Sequence, residues 1–206
     1  MSEQHWVNKH GLKLWESLGW TPTIIQLEQM INLHRVLSKW NKQVNLTRLL
    51  NDEDYWIGQI FDSLWPLKEE LISPRKSLRC IDIGSGCGFP GLAVAIALPN
   101  AEMTLVEAVS KKANALTSMC SEIGLNSRVN IRNERAEVTG HNEIFRGTFD
   151  IAMARAVAST PIVAEYLIPL LKANGEAVLF QGKWNQIDET ILKKALIKLK
   201  ADLIKV

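Results

Sequence analysis

The residues with the clearest chemical use lie in one glycine-rich segment, residues 82–91, which reads Asp-Ile-Gly-Ser-Gly-Cys-Gly-Phe-Pro-Gly. Glycines permit sharp turns and the close approach of a ligand where a Cβ atom would obstruct it. A short apolar run precedes the segment and a helical pattern follows it, which is the context of a nucleotide-binding loop. The spacing of Gly86, Gly88 and Gly91 also fits the dinucleotide fingerprint, so an NAD(P)-dependent oxidoreductase stays an alternative.

The acid that begins this segment argues against a phosphate ligand. Asp82 lies two residues before Gly84, at the end of the predicted strand, where a pyrophosphate would bring its negative charge near the carboxylate. S-adenosylmethionine carries no phosphate, and a carboxylate attracts its ammonium and sulfonium groups. We therefore predict that the loop binds S-adenosylmethionine, with Asp82 near the positive groups and Gly86 among the contacting glycines.

Charged residues also follow the later strands. Glu107 ends the second predicted strand, where an acid can accept hydrogen bonds from both hydroxyls of a ribose. Both ligand classes contain a ribose, so Glu107 indicates an adenosine-type ligand without separating them. Residues 135–137 follow the third strand, in the loop that lies beside the adenine in this architecture. Arg155 ends the fourth strand, where its guanidinium can orient a carboxylate or bind a phosphate with two hydrogen bonds.

These residues require a parallel sheet that gathers the carboxyl ends of its strands. From residue 78 onward, short apolar runs alternate with helical patterns, which predicts an α/β, Rossmann-like fold with a mostly parallel twisted sheet and helices on both faces. Ligands bind such sheets at the carboxyl ends of the strands, near the topological switch point. The predicted strands are 78–83, 103–106, 129–131, 149–153, 177–180 and a sixth from 203, and the predicted helices are 90–98, 110–123, 161–171 with a break at Pro169, and 188–199.

The first 66 residues are predicted to form a helical extension, with residues 67–206 as the methyltransferase core. Thr21 is predicted to cap one helix, with Pro22 at its first position. Asn51 or Asp52 caps a second helix, which ends at Pro66. Its predicted apolar stripe consists of Ile57, Ile60, Phe61 and Leu64.

The composition is that of an ordinary globular protein, with 206 residues, 47% hydrophobic residues and a net charge of +2. No apolar run approaches the ~18 residues that span a bilayer, and the first residues do not resemble a signal peptide, so we expect a cytoplasmic protein without a membrane partner. The cysteines, Cys80, Cys87 and Cys120, have no metal-ligand spacing. We therefore expect free thiols and no metal, and we expect a monomer.

Taken together, the motifs resemble the ribosomal RNA small subunit methyltransferase G family, also called glucose-inhibited division protein B. The matching segments are Asn-Leu-Thr at 45–47, Asp-Ser at 62–63, the glycine segment at 82–91, Arg-Ala-Glu at 135–137 and Ala-Arg-Ala at 154–156. The resemblance implies transfer of a methyl group from S-adenosylmethionine to N7 of a guanine in the decoding-region loop of 16S rRNA. It implies free rRNA or the 30S particle as partner. The implied cofactor contacts are Gly84, Phe89, Ala136, Glu137 and Arg155, with Glu107 on the ribose.

The chain departs from the family pattern in three places. Gln59 stands where the family usually has His, and Gln181 where it often has Lys. Relatives also continue beyond Val206 into a closing hairpin. The reaction does not require removal of a proton, because N7 of guanine has a lone pair and no proton to lose. We therefore expect no general base, and Arg155 is the one catalytic candidate, acting by orienting substrate or cofactor.

RNA binding needs several cations on one face of the protein. Cations cluster in sequence around the second and third strands, and we predict phosphate contacts from them. A catalytically silent RNA-binding module on the same fold stays a further alternative. The predicted RNA-binding residues are Lys111, Lys112, Arg128, Arg132 and Arg135.

Overall fold

The sheet of this protein has five parallel strands, as the alternation of apolar runs and helical patterns predicts. It is seen in a computed structural model that describes residues 3–206, with side chains described for all of these except residues 3–5 and 8. The strands are β1 (Leu78–Ile83), β2 (Ala101–Val106), β3 (Val129–Arg132), β4 (Phe149–Arg155) and β5 (Leu171–Phe180). Their order is β3-β2-β1-β4-β5, so the order reverses between β1 and β4, which is the switch point where such sheets bind ligands.

Helices cover both faces of the sheet. Alternate residues of a strand point to opposite faces, so the apolar residues of each strand pack against helices on both sides. Cys80 packs into the cluster that contains the N-terminal helices, whereas Ile81 and Ile83 pack into a second cluster with Val163 and Leu167. The predicted α/β class with helices on both faces is thereby confirmed. The α-helices are α1 (Glu3–Leu18), α2 (Ile24–Val44), α3 (Asp62–Leu64), α4 (Lys68–Ile72), α5 (Gly91–Ala97), α6 (Ser110–Glu122), α7 (Ala136–His141), α8 (Thr160–Leu167) and α9 (Gln186–Leu199).

The start of α2 differs from the prediction. The N-cap is Thr23, not Thr21, and the helix begins at Ile24 rather than at Pro22. Thr23 and Gln26 form a capping box: the Gln26 N–H donates to Thr23 Oγ1 over 3.2 Å, and the Thr23 N–H donates to Gln26 Oε1 over 2.9 Å. This reciprocal pair satisfies two backbone donors at once, which Thr21 and Pro22 cannot do.

The second helix that the sequence predicts in the N-terminal part is a π-helix, Asp54–Phe61, which follows α1 and α2 and is continuous with α3. Two α-helical residues, Asp52 and Glu53, lead into it, and Asn51 caps this start as predicted, since its Oδ1 accepts the Asp54 N–H over 2.9 Å. The predicted apolar stripe is wrong in part, because the i→i+5 bonds of a π-helix turn a different face inward. Ile57 is 43% exposed, whereas Tyr55, Trp56, Gln59 and Ile60 are buried.

The helical path also continues beyond Pro66, which was predicted to end it. Pro66 lies in a 3₁₀ turn, Trp65–Leu67, which leads directly into α4. A proline at the first positions of a helical turn loses little, because its missing N–H has no partner there. The boundary predicted at residue 66 therefore falls inside a helical segment.

Aromatic side chains join this N-terminal part to the glycine loop. Trp56 packs edge-on against Trp15 and against Tyr55, with ring centroids 6.2 and 5.2 Å apart. Tyr55 packs edge-on against Phe89 of the loop at 5.9 Å. All four rings are buried in one hydrophobic cluster, so the N-terminal helices share one core with the sheet.

The last residues do not form the predicted sixth strand. Residues 201–206 have no regular secondary structure, and Leu203 packs near Leu192 and Leu196 of α9. The chain turns back because Lys200, which caps α9, has a left-handed backbone with φ of 55°. The break predicted at Pro169 is confirmed, since α8 ends at Leu167 and a 3₁₀ turn follows.

Candidate active site

Asp82 is the second-last residue of β1, just before the glycine loop, and it is fully buried. Its Oδ2 accepts the N–H of Gly91, the first residue of α5, over 3.0 Å. Its Oδ1 has no hydrogen-bond partner among the residues that the structure describes. Burial raises the pKa of this carboxyl from 3.8 to about 7, against the lowering effect of the Gly91 N–H. The protein thus keeps a buried carboxylate oxygen without a partner at the switch point.

The loop above Asp82 combines one crowded glycine with one open glycine. Gly84 has φ of 72°, and a Cβ atom on it would lie 2.6 Å from Cγ2 of Val157. Gly86 has φ of 54°, and a Cβ atom on it would meet nothing within 4 Å except the Gly84 carbonyl at 3.7 Å. Packing therefore requires Gly84, whereas Gly86 presents its bare backbone to open space, as a ligand cradle would.

Glu107 joins the ends of β1 and β2. Its side chain is 94% buried, with Oε2 accepting the Gly86 N–H over 2.9 Å and Oε1 accepting the Val109 N–H over 2.7 Å. The side chain of Asn133 donates to the Glu107 carbonyl over 2.8 Å, which ties the third loop to the same place. Each carboxylate oxygen has a further lone pair, so the predicted ribose contact is compatible with these bonds and stays a prediction.

The third loop carries Ala136 and Glu137 at the start of α7. The Glu137 carboxylate accepts a hydrogen bond from the Tyr166 hydroxyl of α8 over 2.9 Å. Hydrogen bonds to its own backbone N–H and to Tyr166 lower the pKa of Glu137. The side chain of Glu137 is thus directed to α8, and the predicted cofactor contacts of Ala136 and Glu137 stay predictions that involve their backbone.

Arg155 ends β4 and is held by the N-terminal part of the chain. Its Nη1 donates to the Gly58 carbonyl over 3.0 Å and to Asp62 Oδ2 over 3.1 Å, and its Nη2 donates to Gln59 Oε1. The guanidinium also lies over the ring of Phe89, 5.9 Å from its centroid. The next residue, Ala156, has φ of 56°, an unusual conformation for a residue with a Cβ atom.

These partners of Arg155 were not predicted from the sequence. Gln59 stood out there only as a departure from the family pattern, and Asp62 only as part of a matching segment. The one available signal was their spacing of three residues, which makes Gln59 and Asp62 neighbours on the surface of the predicted helix. Phe89 was predicted to contact the cofactor; the structure places it, buried, between Tyr55 and Arg155, and the cofactor contact stays a prediction.

The structure divides the predicted RNA-binding cations between the two ends of the sheet. Lys111 and Arg135 are exposed and Lys112 is half-buried, all on loops or helix starts at the carboxyl end of the strands. The Asn133 bonds to the Glu107 and Ala108 carbonyls hold these loops together. These three cations thus share the end of the sheet that carries Asp82 and Arg155.

The other two predicted cations lie at opposite ends of β3, and both guanidinium groups contact the protein. Arg132 pairs with Glu134 over 3.0 Å and lies over the ring of Phe145. Arg128 precedes β3, at the amino end of the sheet, where its Nη1 lies 3.4 Å from the carbonyls of Leu98 and Ala101. Arg128 therefore does not join the cluster that the sequence predicts.

A surface hollow of about 410 Å³ lies at the amino end as well, away from these residues. It is lined by Trp20, Leu71, Arg75 and Ala97 among others, and Arg75 is paired with Glu70 over 2.7 Å. None of the predicted site residues lines this hollow. Among the described residues there is also no group of three or more His, Cys, Asp or Glu side chains able to hold a metal ion. A search of the same part of the chain finds no helix with the length and hydropathy of a membrane span.

Known proteins with similar folds are methyltransferases. The chain superposes on an O-methyltransferase from Bacillus cereus with a TM-score of 0.54 and 23% identity, covering 68% of this chain and 61% of that one. It superposes on a tRNA (m1A58) methyltransferase from Aquifex aeolicus with a TM-score of 0.51 and 19% identity, covering 66% and 51%. At such identities these structures support the fold alone.

Closer similarity is found by sequence. The chain is 57% identical over 205 residues to a ribosomal RNA small subunit methyltransferase G from Prochlorococcus marinus (strain MIT 9303), covering 100% of this chain and 83% of the relative. It is 54% identical over 203 residues to the protein of that name from Synechococcus sp. (strain CC9311), covering 98% and 80%. The family model described as rRNA small subunit methyltransferase G matches residues 26–206, and the chain therefore belongs to that family.

Proposed function

We propose that this chain transfers the methyl group of S-adenosylmethionine to N7 of a guanine in the decoding-region loop of small-subunit (16S) rRNA. Family membership supports the reaction class. The observation that carries the proposal is Asp82, a fully buried carboxylate with one oxygen that lacks a partner among the described residues, at the switch point of the sheet. A buried carboxylate without a cation is costly, and a positively charged ligand offsets that cost.

The residues around Asp82 fit S-adenosylmethionine. Gly86 has open space where a side chain would otherwise stand, and Glu107 retains lone pairs for ribose hydroxyls. A dinucleotide fits less well, because the first N–H of α5, which would face a pyrophosphate, already donates to Asp82. When bound, S-adenosylmethionine supplies a methyl group on a positively charged sulfur.

The protein's share of the chemistry is positioning. Because N7 of guanine has no proton to lose, the residues need only align the nucleophile and exclude water. Arg155 uses three of its five N–H groups on Gly58, Gln59 and Asp62, and the other two have no acceptor among the described residues. They are available for the cofactor carboxylate or for an RNA phosphate, which is the orienting role we assign to Arg155.

The partner in this proposal is rRNA, free or in the 30S particle, which also puts the protein in the cytoplasm. Lys111, Lys112 and Arg135 support phosphate contacts at the site, since they share its end of the sheet. Arg128 and Arg132 are less available for RNA phosphates, because their guanidinium groups contact the protein. Exchange of Lys111 and Arg135 for Gln should weaken RNA binding and reduce its salt dependence, whereas Arg128→Gln should leave that dependence unchanged.

The test is transfer of labelled methyl from S-adenosylmethionine to 30S particles and to 16S rRNA from a strain that lacks the modification, followed by mapping of the modified base. We expect one methyl on N7 of one guanine. Binding to particles without transfer would overturn the enzyme assignment in favour of a silent RNA-binding module. Thermal stabilisation by NADH, and not by S-adenosylhomocysteine, would overturn the cofactor assignment.

A further inference from the structure

Gln59 connects three separate parts of the molecule. It lies in the π-helix and is 99% buried. Its Nε2 donates to Thr47 Oγ1 over 3.2 Å and lies 3.9 Å from Sγ of Cys87 in the glycine loop. Its Oε1 accepts the hydrogen bond from Arg155 Nη2. One side chain thus joins the Asn-Leu-Thr segment, the glycine loop and the end of β4.

The orientation of this amide follows from its neighbours. A guanidinium has only donors, so the amide oxygen has to face Arg155. The NH₂ group then faces Thr47 Oγ1 and the Cys87 sulfur, both of which can accept. Every polar atom of the Gln59 side chain has a matching partner, which fixes the amide, and through it the guanidinium, in one arrangement.

Gln59 is also the better shielded of the two side chains that hold Arg155. The other is Asp62, whose side chain is 54% exposed, and ion pairs with exposed groups contribute little because water screens them. The bond to Gln59 is part-buried, with Gln59 itself 1% exposed and the Arg155 side chain 17% exposed, and a hydrogen bond to a charged group is stronger where water is largely excluded. The π-helix matters here because it brings the Gly58 carbonyl, Gln59 and Asp62 to the same guanidinium.

We propose that Gln59 is a positioning residue for the reaction: it holds Arg155 against Phe89 and the glycine loop, so that the two remaining N–H groups of the guanidinium point to the reactants. The proposal rests on the proposed function. It predicts that loss of the amide slows methyl transfer more than it weakens cofactor binding, because Asp82 and Glu107 still contact the cofactor in the proposed site when Arg155 is displaced.

Two variants and a matched control test it. Gln59→Met keeps the size of the side chain without its amide, and Gln59→Glu keeps an acceptor for Arg155. Gln26→Met is the control, because Gln26 is another buried glutamine that ties the N-terminal helices to the core, through two 3.0 Å bonds to the Ile96 and Ala97 carbonyls of α5.

We expect Gln59→Met to lower kcat about 10-fold or more, with the calorimetric Kd of S-adenosylhomocysteine changed by less than about 3-fold. Gln59→Glu should recover most of the lost kcat, and Gln26→Met should reduce thermal stability while kcat changes by less than about 3-fold. Equal kcat losses in Gln59→Met and Gln26→Met, or no recovery in Gln59→Glu, would overturn the proposal.

A second measurement does not depend on activity. Urea midpoints of Gln59→Met, Arg155→Met and the double variant form a cycle, in which we expect the double shift to be smaller than the two single shifts combined. The cycle of Gln26→Met with Arg155→Met should be additive. Additive shifts of the urea midpoint for the variants at 59 and 155 would overturn the proposal, and this outcome can be measured even in an inactive protein. Absence of methyl transfer by the unmodified chain would instead contradict the proposed function alone.

Discussion

The two ends of the sheet each carry one aspartate that accepts a backbone N–H, and the two are otherwise opposite. At the carboxyl end, Asp82 accepts the Gly91 N–H, its other carboxylate oxygen has no partner in the described part of the chain, and burial raises its pKa to about 7. At the amino end, Asp150 accepts from the Arg79 N–H over 2.8 Å and pairs with Lys172 over 2.9 Å. Hydrogen bonds from Arg79 and Lys172 outweigh partial burial, so the pKa of Asp150 is lowered.

The difference separates a carboxylate whose charge stabilises the fold from one that we propose binds a positively charged ligand. Asp150 has protein partners that favour its charge, so ionisation contributes to stability. Asp82 is fully buried and forms no ion pair with the described residues, and the charge of Arg155 lowers its pKa by less than burial raises it, so ionisation reduces stability. Such an arrangement is expected at a site whose missing positive charge arrives with the ligand.

The largest expected effect is on ligand binding by Asp82→Asn. The amide oxygen can still accept the Gly91 N–H, so the loop should remain folded, but the attraction for the ammonium and sulfonium groups is lost. We expect affinity for S-adenosylmethionine, measured by calorimetry, to fall about 100-fold or more, equivalent to about 3 kcal/mol. Asp150→Asn is the control and should bind normally. Unchanged affinity in Asp82→Asn would mean that Asp82, like Asp150, has no part in binding the ligand.

The next largest effect is expected at one of two glycines that share the same φ angle and lie at opposite ends of the sheet. Gly84 and Gly124 both have φ of 72°, but a Cβ atom would contact Val157 at the first and nothing within 4 Å at the second. Gly124→Ala should reduce the free energy of unfolding by about 1 kcal/mol, the cost of the left-handed conformation. Gly84→Ala adds overpacking and should lose about 3 kcal/mol in urea unfolding. Equal losses would mean that Val157 moves aside freely.

The pH dependence of stability should also differ in sign between the two acids. A folded-state pKa above the ordinary value means that the folded protein binds the extra proton, so Asp82 makes the free energy of unfolding fall as pH rises from about 4 to about 7. Asp150 contributes stability above its ordinary pKa, and loses it as pH falls below that value.

Urea unfolding of the wild-type protein and of Asp82→Asn between pH 5 and 7 isolates the first contribution. We expect the variant to gain about 2 kcal/mol relative to the wild type at pH 7 compared with pH 5, because only the wild type then carries the unpaired charge. A constant difference between the two proteins across this range would show that Asp82 keeps one protonation state.

The smallest effect concerns backbone strain beside the site. Ala156 and Asn174 have φ of 56° and 62°, and Asn adopts this region more readily than Ala. Ala156→Gly should therefore raise the free energy of unfolding by about 0.5 kcal/mol, and Asn174→Gly by less. A gain in stability with a loss of methyl transfer would indicate that the Ala156 conformation helps to aim Arg155.

The residues of the site could be predicted where they follow a strand. Asp82, Glu107 and Arg155 each stand at the end of an apolar run, and parallel strands gather such ends at one edge of the sheet. The pattern did not predict the hydrogen bonds that these acids accept from the protein's own backbone. Glu107 accepts two backbone N–H groups from its own and the neighbouring loop, a contact that requires both strands to be in register.

The predictions that failed depended on interactions beyond a short window. Arg128 was grouped with Arg132 and Arg135 by closeness in sequence, yet β3 places it at the opposite end of the sheet. The strand predicted from Leu203 had apolar residues of the right type, but these residues pack back toward α9. Thr21 had the right type for a cap, and Thr23 was chosen because Gln26 stands three residues later.

The sequence by itself determined the parallel α/β sheet, the glycine loop and the acids at its strand ends, because periodicity, turn chemistry and strand-end position act over a few residues. Only the tertiary structure decided that Arg155 is held by Gln59 across a separation of 96 residues, and that the π-helix brings Gly58 and Asp62 to the same guanidinium. It also decided that Asp82 Oδ1 is buried without a hydrogen-bond partner among the described residues. Such contacts depend on how separate elements pack, and no local pattern encodes them.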